Sequence, residues 1–242
     1  MVTMFDLTVV VTTWPSHPRR VDYFCQSVDA FAIELAKNGL KARWIVSAET
    51  ELPADSRFCR DELQTACDAR NLTLLWRACK ADLASNLNEC IARVETELWF
   101  YLQDDWLVRR RLPLNAACDL LRRDDAFGGV RFWANTGHWA TWGRWSVLRK
   151  HSPWYYGDNP ALWSLRFNQL IGPFEPGGSF GHHEQAASQK ASESGLHLAS
   201  PLPLKNSANW YFSHLGEVTS VPCDTRWNHA AIRLAQNGKG SQ

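Results

Sequence analysis

Hydrophobic positions in the first part of the chain switch between a continuous run and helical spacing. Residues Leu7 to Thr13 are an apolar, β-branched run that ends at Trp14-Pro15, as is typical of a strand buried on both faces. From Arg20 to Asn38 the apolar residues recur near helical spacing, and Asn38-Gly39 provides a stop signal. The pattern therefore predicts a first parallel strand followed by a helix.

The same alternation continues as far as residue 102. It predicts helices over Asp61–Arg70 and Leu83–Val94, and strands over Ala42–Ala48, Leu72–Trp76 and Glu97–Leu102. Strands that alternate with helices predict a parallel sheet with helices on its faces, and such a sheet binds ligands at the carboxyl ends of its strands.

The second half of the chain is less regular. A helix is predicted from Pro113 to about Arg123, a strand from Gly129 to Trp133, and a helix from His183 to Ser194. No element is predicted for the Trp- and Gly-rich stretch after Trp133. The Pro- and Gly-rich segment 173–181 fits either a lid or a plain connection. The tail 237–242 is expected to be disordered.

Length and composition indicate one globular domain. The chain has 242 residues, of which 45% are hydrophobic and 21% are charged, so it can bury a core of useful size. Together with the alternating elements, this predicts a single α/β domain over residues 1–236 with a mostly parallel central sheet flanked by helices.

Charge, cysteines and termini narrow the possible partners. The 26 basic and 25 acidic residues give a net charge of +1, which argues against nucleic acid as a partner bound through a broad basic field. Seven cysteines without a C-x-x-C pair indicate reduced thiols and not a disulfide framework or a zinc site. Neither a signal peptide nor a spanning segment is recognisable, so a cytoplasmic location is expected.

Two adjacent carboxylates, Asp104 and Asp105, directly follow the last predicted strand of the first half. Hard oxygen ligands at this position suit Mg²⁺ or Mn²⁺, which accept diphosphate oxygens as further ligands. A solvated turn is the structural alternative for the pair.

In this context the segment Gln103-Asp104-Asp105-Trp106 resembles the acidic D-x-D or E-D-D motif of GT-A glycosyltransferases of the family 2 type. The resemblance implies a single GT-A domain, with a nucleotide-sugar-binding half over about 1–108 and an acceptor-binding half over about 109–236. It implies that Asp105 contacts the metal and that Asp104 contacts the ribose or the metal shell. Gln103 replaces the usual first acid, which puts the charge balance of the metal in question.

The resemblance also implies residues of the donor site. Thr12 and Thr13 lie at the end of the first strand and Arg19 comes shortly after it; in the family this end of the strand contacts the nucleotide. Glu49, after the second strand, stands where the family places an acid that binds the base. Asn88 belongs to the helix that leans over the nucleotide. Capping or surface exposure is the structural alternative for these residues.

Two residues of the second half are implied to take part in chemistry. Glu184, at the start of a predicted helix, matches the family's catalytic base, which deprotonates the acceptor hydroxyl and leads to inversion at the anomeric carbon. A glutamate favoured by the helix dipole is the alternative. His214 resembles a late histidine that reaches back to the metal, and a core histidine is its alternative.

Acceptor-binding residues are implied by the aromatic content and by a second local match. Thirteen tryptophans are present, and flat indoles can stack on sugar rings. The segment from Tyr156 to Trp163 resembles a family strand near the acceptor. The candidates are Trp133, Asn159 and Trp163.

The sequence thus predicts transfer of a sugar from a nucleotide-diphosphate donor, with a UDP-sugar favoured, to a glycan or other hydroxyl acceptor, with Mn²⁺ or Mg²⁺ as cofactor. A non-catalytic carbohydrate- or nucleotide-binding protein stays open as the alternative, with Gln103 as a sign of lost metal binding. A nucleotidyltransferase would need a Gly-rich loop after the first strand, and that segment contains no glycine. A zinc deaminase would need P-C-x-x-C, which the segment starting at Pro222 lacks.

Overall fold

The computed structural model describes residues 5–50, 57–77, 83–132, 139–148, 156–176, 182–201 and 211–215, with the backbone alone for 139–142. Trp133, part of the Pro- and Gly-rich segment and the tail 237–242 lie outside these ranges. Within them, no helix is both long and apolar enough to cross a membrane. None of the five cysteines in these ranges forms a disulfide bond.

The first half forms the βα alternation that the sequence predicts. Its strands are β1 (Leu7–Thr13), β2 (Ala42–Glu49), β3 (Thr73–Arg77) and β4 (Leu98–Gln103), and its helices are α1 (Pro18–Lys37), α2 (Phe58–Ala69) and α3 (Leu83–Ile91). The strands lie in the order β3-β2-β1-β4, and every neighbouring pair is parallel. The predicted strands and helices of this half are confirmed to within a few residues at each end.

Helix α1 illustrates how local sequence sets an element. Its start is capped by the His17 ring, which accepts a hydrogen bond from the Arg19 backbone N–H, and Pro18 occupies the first helical position. Its end is set by Asn38 as cap and by Gly39, whose φ of 68° is favourable for glycine. Its buried face, including Phe24 and Phe31, packs on the sheet.

The second half extends the same sheet. It contains β5 (Trp106–Val108), α4 (Leu114–Arg123), β6 (Phe127–Arg131), β7 (Trp139–Trp142), β8 (Trp145–Leu148), β9 (Ala161–Ser164), α5 (Leu165–Ile171), α6 (His182–Glu193), β10 (His197–Pro201) and β11 (Phe212–His214). The nine-stranded order is β3-β2-β1-β4-β9-β6-β10-β8-β7, with β5 and β11 paired separately. Strands β8 and β9 run antiparallel to their neighbours, so the other seven strands point the same way.

A single α/β domain with a mostly parallel sheet is therefore confirmed. The Trp-rich stretch without a predicted element contains the β7–β8 hairpin, and α5, β10 and the small β5–β11 sheet were also not predicted. These elements have between three and seven residues each and do not follow the regular strand–helix alternation that marks strands of similar length in the first half.

The topology brings polar residues to one edge of the sheet. The carboxyl ends of β1, β4 and β6 lie there, and the amino end of the antiparallel β9 lies there too. Thr13 and Arg131 are the last residues of β1 and β6, and Asp104 directly follows β4. Asp158 comes just before β9, and the Phe132 N–H donates to the Pro160 carbonyl at 3.0 Å. This edge is where the candidate residues of the two halves meet.

Candidate active site

Asp104 and Asp105 form the turn between β4 and β5, and both are almost completely buried. Several groups hold the turn in place. The Thr13 hydroxyl donates to Asp104 Oδ2 at 2.6 Å, and the Ser27 hydroxyl donates to the Asp104 carbonyl at 3.0 Å. The Leu215 N–H donates to the Asp105 carbonyl at 2.7 Å. The acidic pair is thus fixed from β1, from α1 and from the end of β11.

Arg20 joins the two carboxylates through a charged fork. Its Nη2 lies 2.8 Å from Asp104 Oδ1, and its Nη1 lies 2.9 Å from Asp105 Oδ2. Arg19, its neighbour, was predicted from the sequence as a site residue, and Arg20 was not. The sequence does contain a signal for it, because Arg20 lies on the same face of α1 as Phe24 and Ser27, four and seven residues later, which are buried. An arginine at the end of a core-facing stripe points to a buried partner.

The environment separates the pKa values of the two acids. Burial raises the pKa of Asp104 to about 6, against the opposing effect of the Arg20 guanidinium. For Asp105, burial also acts upward, but the hydrogen bond from His214 and the charge of Arg20 outweigh it and lower the pKa to about 2. Asp105 is therefore the carboxylate that stays ionised at any physiological pH.

His214 lies beside Asp105. Its Nε2 lies 3.1 Å from Asp105 Oδ2, which is a hydrogen-bond distance, and the ring packs edge-on against Trp106 at 5.1 Å between centroids. Adjacent ligands of an octahedral ion with bonds of about 2.1 Å lie about 3 Å apart, so this spacing would also allow both atoms to bind one Mn²⁺ or Mg²⁺ ion. Within the described ranges no group of three His, Cys, Asp or Glu side chains is arranged for a metal. The protein would supply two ligands here and leave further positions to a ligand or to water.

Gln103, which replaces the usual first acid, has a structural partner. The Trp106 indole N–H donates to Gln103 Oε1 at 2.7 Å. The amide thereby links the two residues that flank the acidic pair. It adds no negative charge, so the turn carries two carboxylates where a three-acid motif would carry a third.

A second polar cluster surrounds Glu184 in the first turn of α6. The Asp158 backbone N–H donates to Glu184 Oε1 at 2.8 Å, and Asp158 Oδ2 shares a short hydrogen bond with His183 Nε2. Burial raises the pKa of Glu184 to about 7, with a further upward effect from Asp158 and opposing effects from His183 and Arg131. A carboxyl with this pKa exchanges protons near neutral pH.

Arg131 places a buried positive charge beside this cluster. It is only 4% exposed, and burial lowers its pKa although Glu184 and Asp158 act in the opposite direction. Gly157 leaves room for it, because a Cβ at that position would lie 2.8 Å from Arg131 Nη2 and 3.1 Å from Asn159 Nδ2. Asp158, His183 and Arg131 were not predicted as site residues, although Asp158 and His183 lie inside segments that the sequence singled out.

Tyr101 stands between the two clusters. Its buried hydroxyl is 2.9 Å from the Thr12 hydroxyl. Burial raises the pKa of Tyr101 well above its ordinary value, and both Asp158 and Asp104 add to that rise. Asp104 and Asp158 are therefore both close enough to raise the pKa of the Tyr101 phenol. The acidic pair and the Glu184 cluster thus lie at the same edge of the sheet.

The other candidates from the sequence lie in varied surroundings. Arg19 is exposed at the start of α1, and Glu49 is half-buried at the end of β2. The Asn88 amide exchanges two hydrogen bonds of 2.8 Å with the backbone of Phe174, so it joins α3 to residues 172–176.

The three acceptor candidates also differ in position. Asn159 is half-buried near Arg131. Trp163 is completely buried in β9 among aromatic rings, where it has no surface for an acceptor. Trp133 lies outside the described residues.

No protein-family model and no curated protein sequence match the chain. Solved structures do match. A mannosyltransferase from Pyrobaculum calidifontis, in complex with GDP-Man and Mn²⁺, gives a TM-score of 0.56 at 15% identity over 85% of this chain. S. aureus TarS 1-349 gives 0.55 at 13% identity over 86%, and GalNAc-T7 with UDP, GalNAc and Mn²⁺ gives 0.61 at 10% identity over 83%.

The chain has the GT-A fold. The GT-A resemblance expected from Gln103-Asp104-Asp105-Trp106 is thereby confirmed at the level of the fold. This chain spans 59% of the mannosyltransferase, 59% of the TarS fragment and 43% of GalNAc-T7. Its GT-A domain carries the acidic pair at the carboxyl end of β4, which is the edge where open α/β sheets bind ligands.

Proposed function

We propose that the chain is a glycosyltransferase that moves a sugar from a nucleotide-diphosphate donor, with a UDP-sugar favoured, to a hydroxyl of a glycan or other acceptor. The observation that carries the proposal is the meeting of two acidic clusters at one edge of a GT-A sheet. Asp104 and Asp105 form the first cluster, and Glu184 belongs to the second. One carboxylate of each cluster, Asp104 and Asp158, raises the pKa of Tyr101. Such an arrangement suits an anionic leaving group on one side and a base on the other.

The donor would bind along the ends of β1 and β2. Thr12, Thr13, Arg19, Glu49 and Asn88 are proposed to line the nucleotide, with Asp104 toward the ribose. The start of α1 faces the acidic turn through Arg20, and a helix N-terminus favours phosphate. Thr13 and Asn88 would also help to position the donor site, because Thr13 donates to Asp104 and Asn88 donates to the backbone of Phe174.

Asp105 and His214 are proposed to hold the divalent metal. When bound, a divalent ion supplies positive charge that stabilises a leaving diphosphate. The imidazole ligand favours Mn²⁺ over Mg²⁺. Support comes from solved relatives of the fold, since the mannosyltransferase was solved with GDP-Man and Mn²⁺ and a Drosophila β1,4-galactosyltransferase 7 mutant, at 13% identity, with manganese, UDP-Gal and xylobiose.

Glu184 is proposed as the general base. Its carboxylate would take the proton of the acceptor hydroxyl as that oxygen attacks the anomeric carbon from the face opposite the diphosphate, which inverts the configuration. The Asp158 backbone N–H orients the carboxylate, and the buried Arg131 offsets negative charge beside it. Trp133 and Asn159 are proposed to contact the acceptor, whereas the buried position of Trp163 supports a packing role.

A second candidate function is binding of a nucleotide or a carbohydrate without turnover. Two observations favour it, namely the neutral Gln103 bound to Trp106 and the ion pairs of Arg20 with both aspartates. The two functions differ in donor turnover, because a binding protein releases no nucleoside diphosphate from a nucleotide sugar.

The test is release of UDP or GDP from a panel of nucleotide sugars with Mn²⁺, with and without glycan acceptors. We expect release by the native chain, loss of release in EDTA, and a decrease of about 10²- to 10⁴-fold in Glu184→Gln. Glu193→Gln is the matched control, because Glu193 is exposed in the last turn of the same helix. Binding of a donor without any release would favour the second candidate.

A further inference from the structure

The acidic pair already has a cation within the protein. The Arg20 guanidinium contacts one oxygen of each carboxylate at 2.8 and 2.9 Å, and its side chain is only 17% exposed. An arginine side chain keeps its charge at every accessible pH, so this cation cannot be titrated away. The local charge of the Asp104–Asp105–Arg20 group is therefore close to −1 when both acids are ionised.

The oxygen that faces His214 is also the oxygen that Arg20 holds. Asp105 Oδ2 lies 3.1 Å from His214 Nε2 and 2.9 Å from Arg20 Nη1. A divalent ion placed between Asp105 and His214 would have to share this oxygen with the guanidinium or displace it. Two cations on one carboxylate oxygen repel each other strongly in a partly buried site.

The aspartates do not need Arg20 to keep their positions. Thr13 and Ser27 hold Asp104, and the Leu215 N–H holds the Asp105 backbone. Arg20 lies in the first turn of α1, and its long side chain can change rotamer without movement of the helix. Release of the guanidinium would thus leave the Asp104 carboxylate bonded to Thr13, the Asp105 backbone bonded to Leu215 and the Asp105 carboxylate beside His214.

We propose that Arg20 is a resident countercation that competes with a divalent metal for Asp105, so that the metal binds well only together with a diphosphate. The inference rests on the proposed function and concerns the regulation of the same site. A diphosphate offers Arg20 a new anionic partner, and guanidinium groups bind phosphate oxygens in the same forked manner as carboxylates. The metal and the diphosphate would therefore each favour binding of the other.

Titration of Mn²⁺ alone tests the competition, with free Mn²⁺ followed by electron paramagnetic resonance. We expect Arg20→Gln to bind Mn²⁺ at least about tenfold more tightly than the native chain, the low end for repulsion between a guanidinium and a divalent ion at the dielectric constant of water. The added Mn²⁺ binding should disappear in Arg20→Gln/Asp105→Asn. The matched control is Arg123→Gln, which removes one positive charge from an exposed position on α4.

A second variant and a titration with added nucleotide test the same competition between Arg20 and Mn²⁺. Arg20→Lys keeps the charge and loses the fork, so we expect Mn²⁺ affinity between those of the native chain and Arg20→Gln. Added UDP or GDP should raise the Mn²⁺ affinity of the native chain by a larger factor than that of Arg20→Gln. Circular dichroism verifies that each variant is folded.

Equal or weaker Mn²⁺ binding in Arg20→Gln, or Mn²⁺ binding by neither protein, would overturn the competition. Its failure is distinguishable from failure of the proposed function, which is tested by nucleotide release. If nucleotide release depends on metal but the native chain and Arg20→Gln bind Mn²⁺ equally, the competition is wrong and the proposed function stands. If Arg20→Gln binds Mn²⁺ more tightly but the native chain releases no nucleotide, the proposed turnover is wrong and the competition stands.

Discussion

At the residue scale, the site depends on charged side chains that are buried together with their partners. Arg20 and the two aspartates come from α1 and from the turn after β4, and Glu184 is oriented by the backbone of Asp158. Burial of an unpaired charge is strongly unfavourable, so each of these carboxylates depends on its own partners for its ionised state. Single substitutions here are expected to change pKa values as well as contacts.

The raised pKa of Glu184 predicts that the stability of the folded chain depends on pH. Its pKa of about 7 in the folded chain lies above the ordinary 4.5, so the folded state holds the proton more tightly than the unfolded state. The stabilising contribution is complete below about pH 4.5 and is lost as the pH rises through about 7. Urea unfolding at pH 5 and pH 8 should therefore show a larger loss for the native chain than for Glu184→Gln.

Glu193→Gln is again the control for this comparison, and it should lose as much free energy of unfolding between the two pH values as the native chain. Equal losses in Glu184→Gln and in the native chain would show that Glu184 titrates with an ordinary pKa. That outcome would also remove the physical basis for its role as a base near neutral pH.

At the scale of the elements, the first half could be predicted from the sequence because apolar strands alternate regularly with amphipathic helices of 20, 12 and 9 residues. The run at Leu7–Thr13 and the stripe on α1 each repeat over enough residues to define a face. The strands β7, β8 and β9 have four residues each, and the place of β9 and of the β7–β8 hairpin in the sheet depends on distant partners. Such partners leave no local pattern.

Asn88 tests how α3 is joined to residues 172–176. Asn88→Ala removes both hydrogen bonds between its amide and the Phe174 backbone and leaves two backbone groups to find new partners. We expect a loss of about 1–3 kcal/mol in the free energy of unfolding, measured by urea denaturation. Asn115→Ala is the control, because its single hydrogen bond to the Asn38 carbonyl is exposed. Similar small losses in both variants would contradict the prediction.

Gly129 tests the packing between β6 and β9. A Cβ at this position would lie 2.3 and 2.5 Å from two carbons of the Trp163 ring, so one of the two strands or the indole must shift. We expect Gly129→Ala to lose about 1–3 kcal/mol in the free energy of unfolding. The same substitution should cost clearly less in a Trp163→Leu background, and additive losses would show that the indole is not the obstacle.

At the scale of the whole molecule, the candidate site could be predicted only in part. The acidic pair follows from its place directly after a buried strand, whereas Glu184 and His214 are implied only by the resemblance to GT-A glycosyltransferases. Asp158 and Arg131 become visible only after the sheet brings β4, β6 and β9 to one edge, because they come from segments far apart in the chain. The spacing of Arg20, Phe24 and Ser27 on α1 indicates that Arg20 has a buried partner, but the fold is needed to identify the two aspartates as that partner.

The most direct measurement of the central claim is calorimetric titration of UDP and GDP, each with and without Mn²⁺. The native chain should bind one of the two nucleotides with an affinity that rises by tenfold or more when Mn²⁺ is present. Asp105→Ala should lose that increase, because Asp105 is the aspartate that is proposed to hold the metal. Asp119→Ala, on the exposed side of α4, should keep it. Binding of neither nucleotide under any condition, or equal metal-dependent binding by Asp105→Ala, would contradict the account.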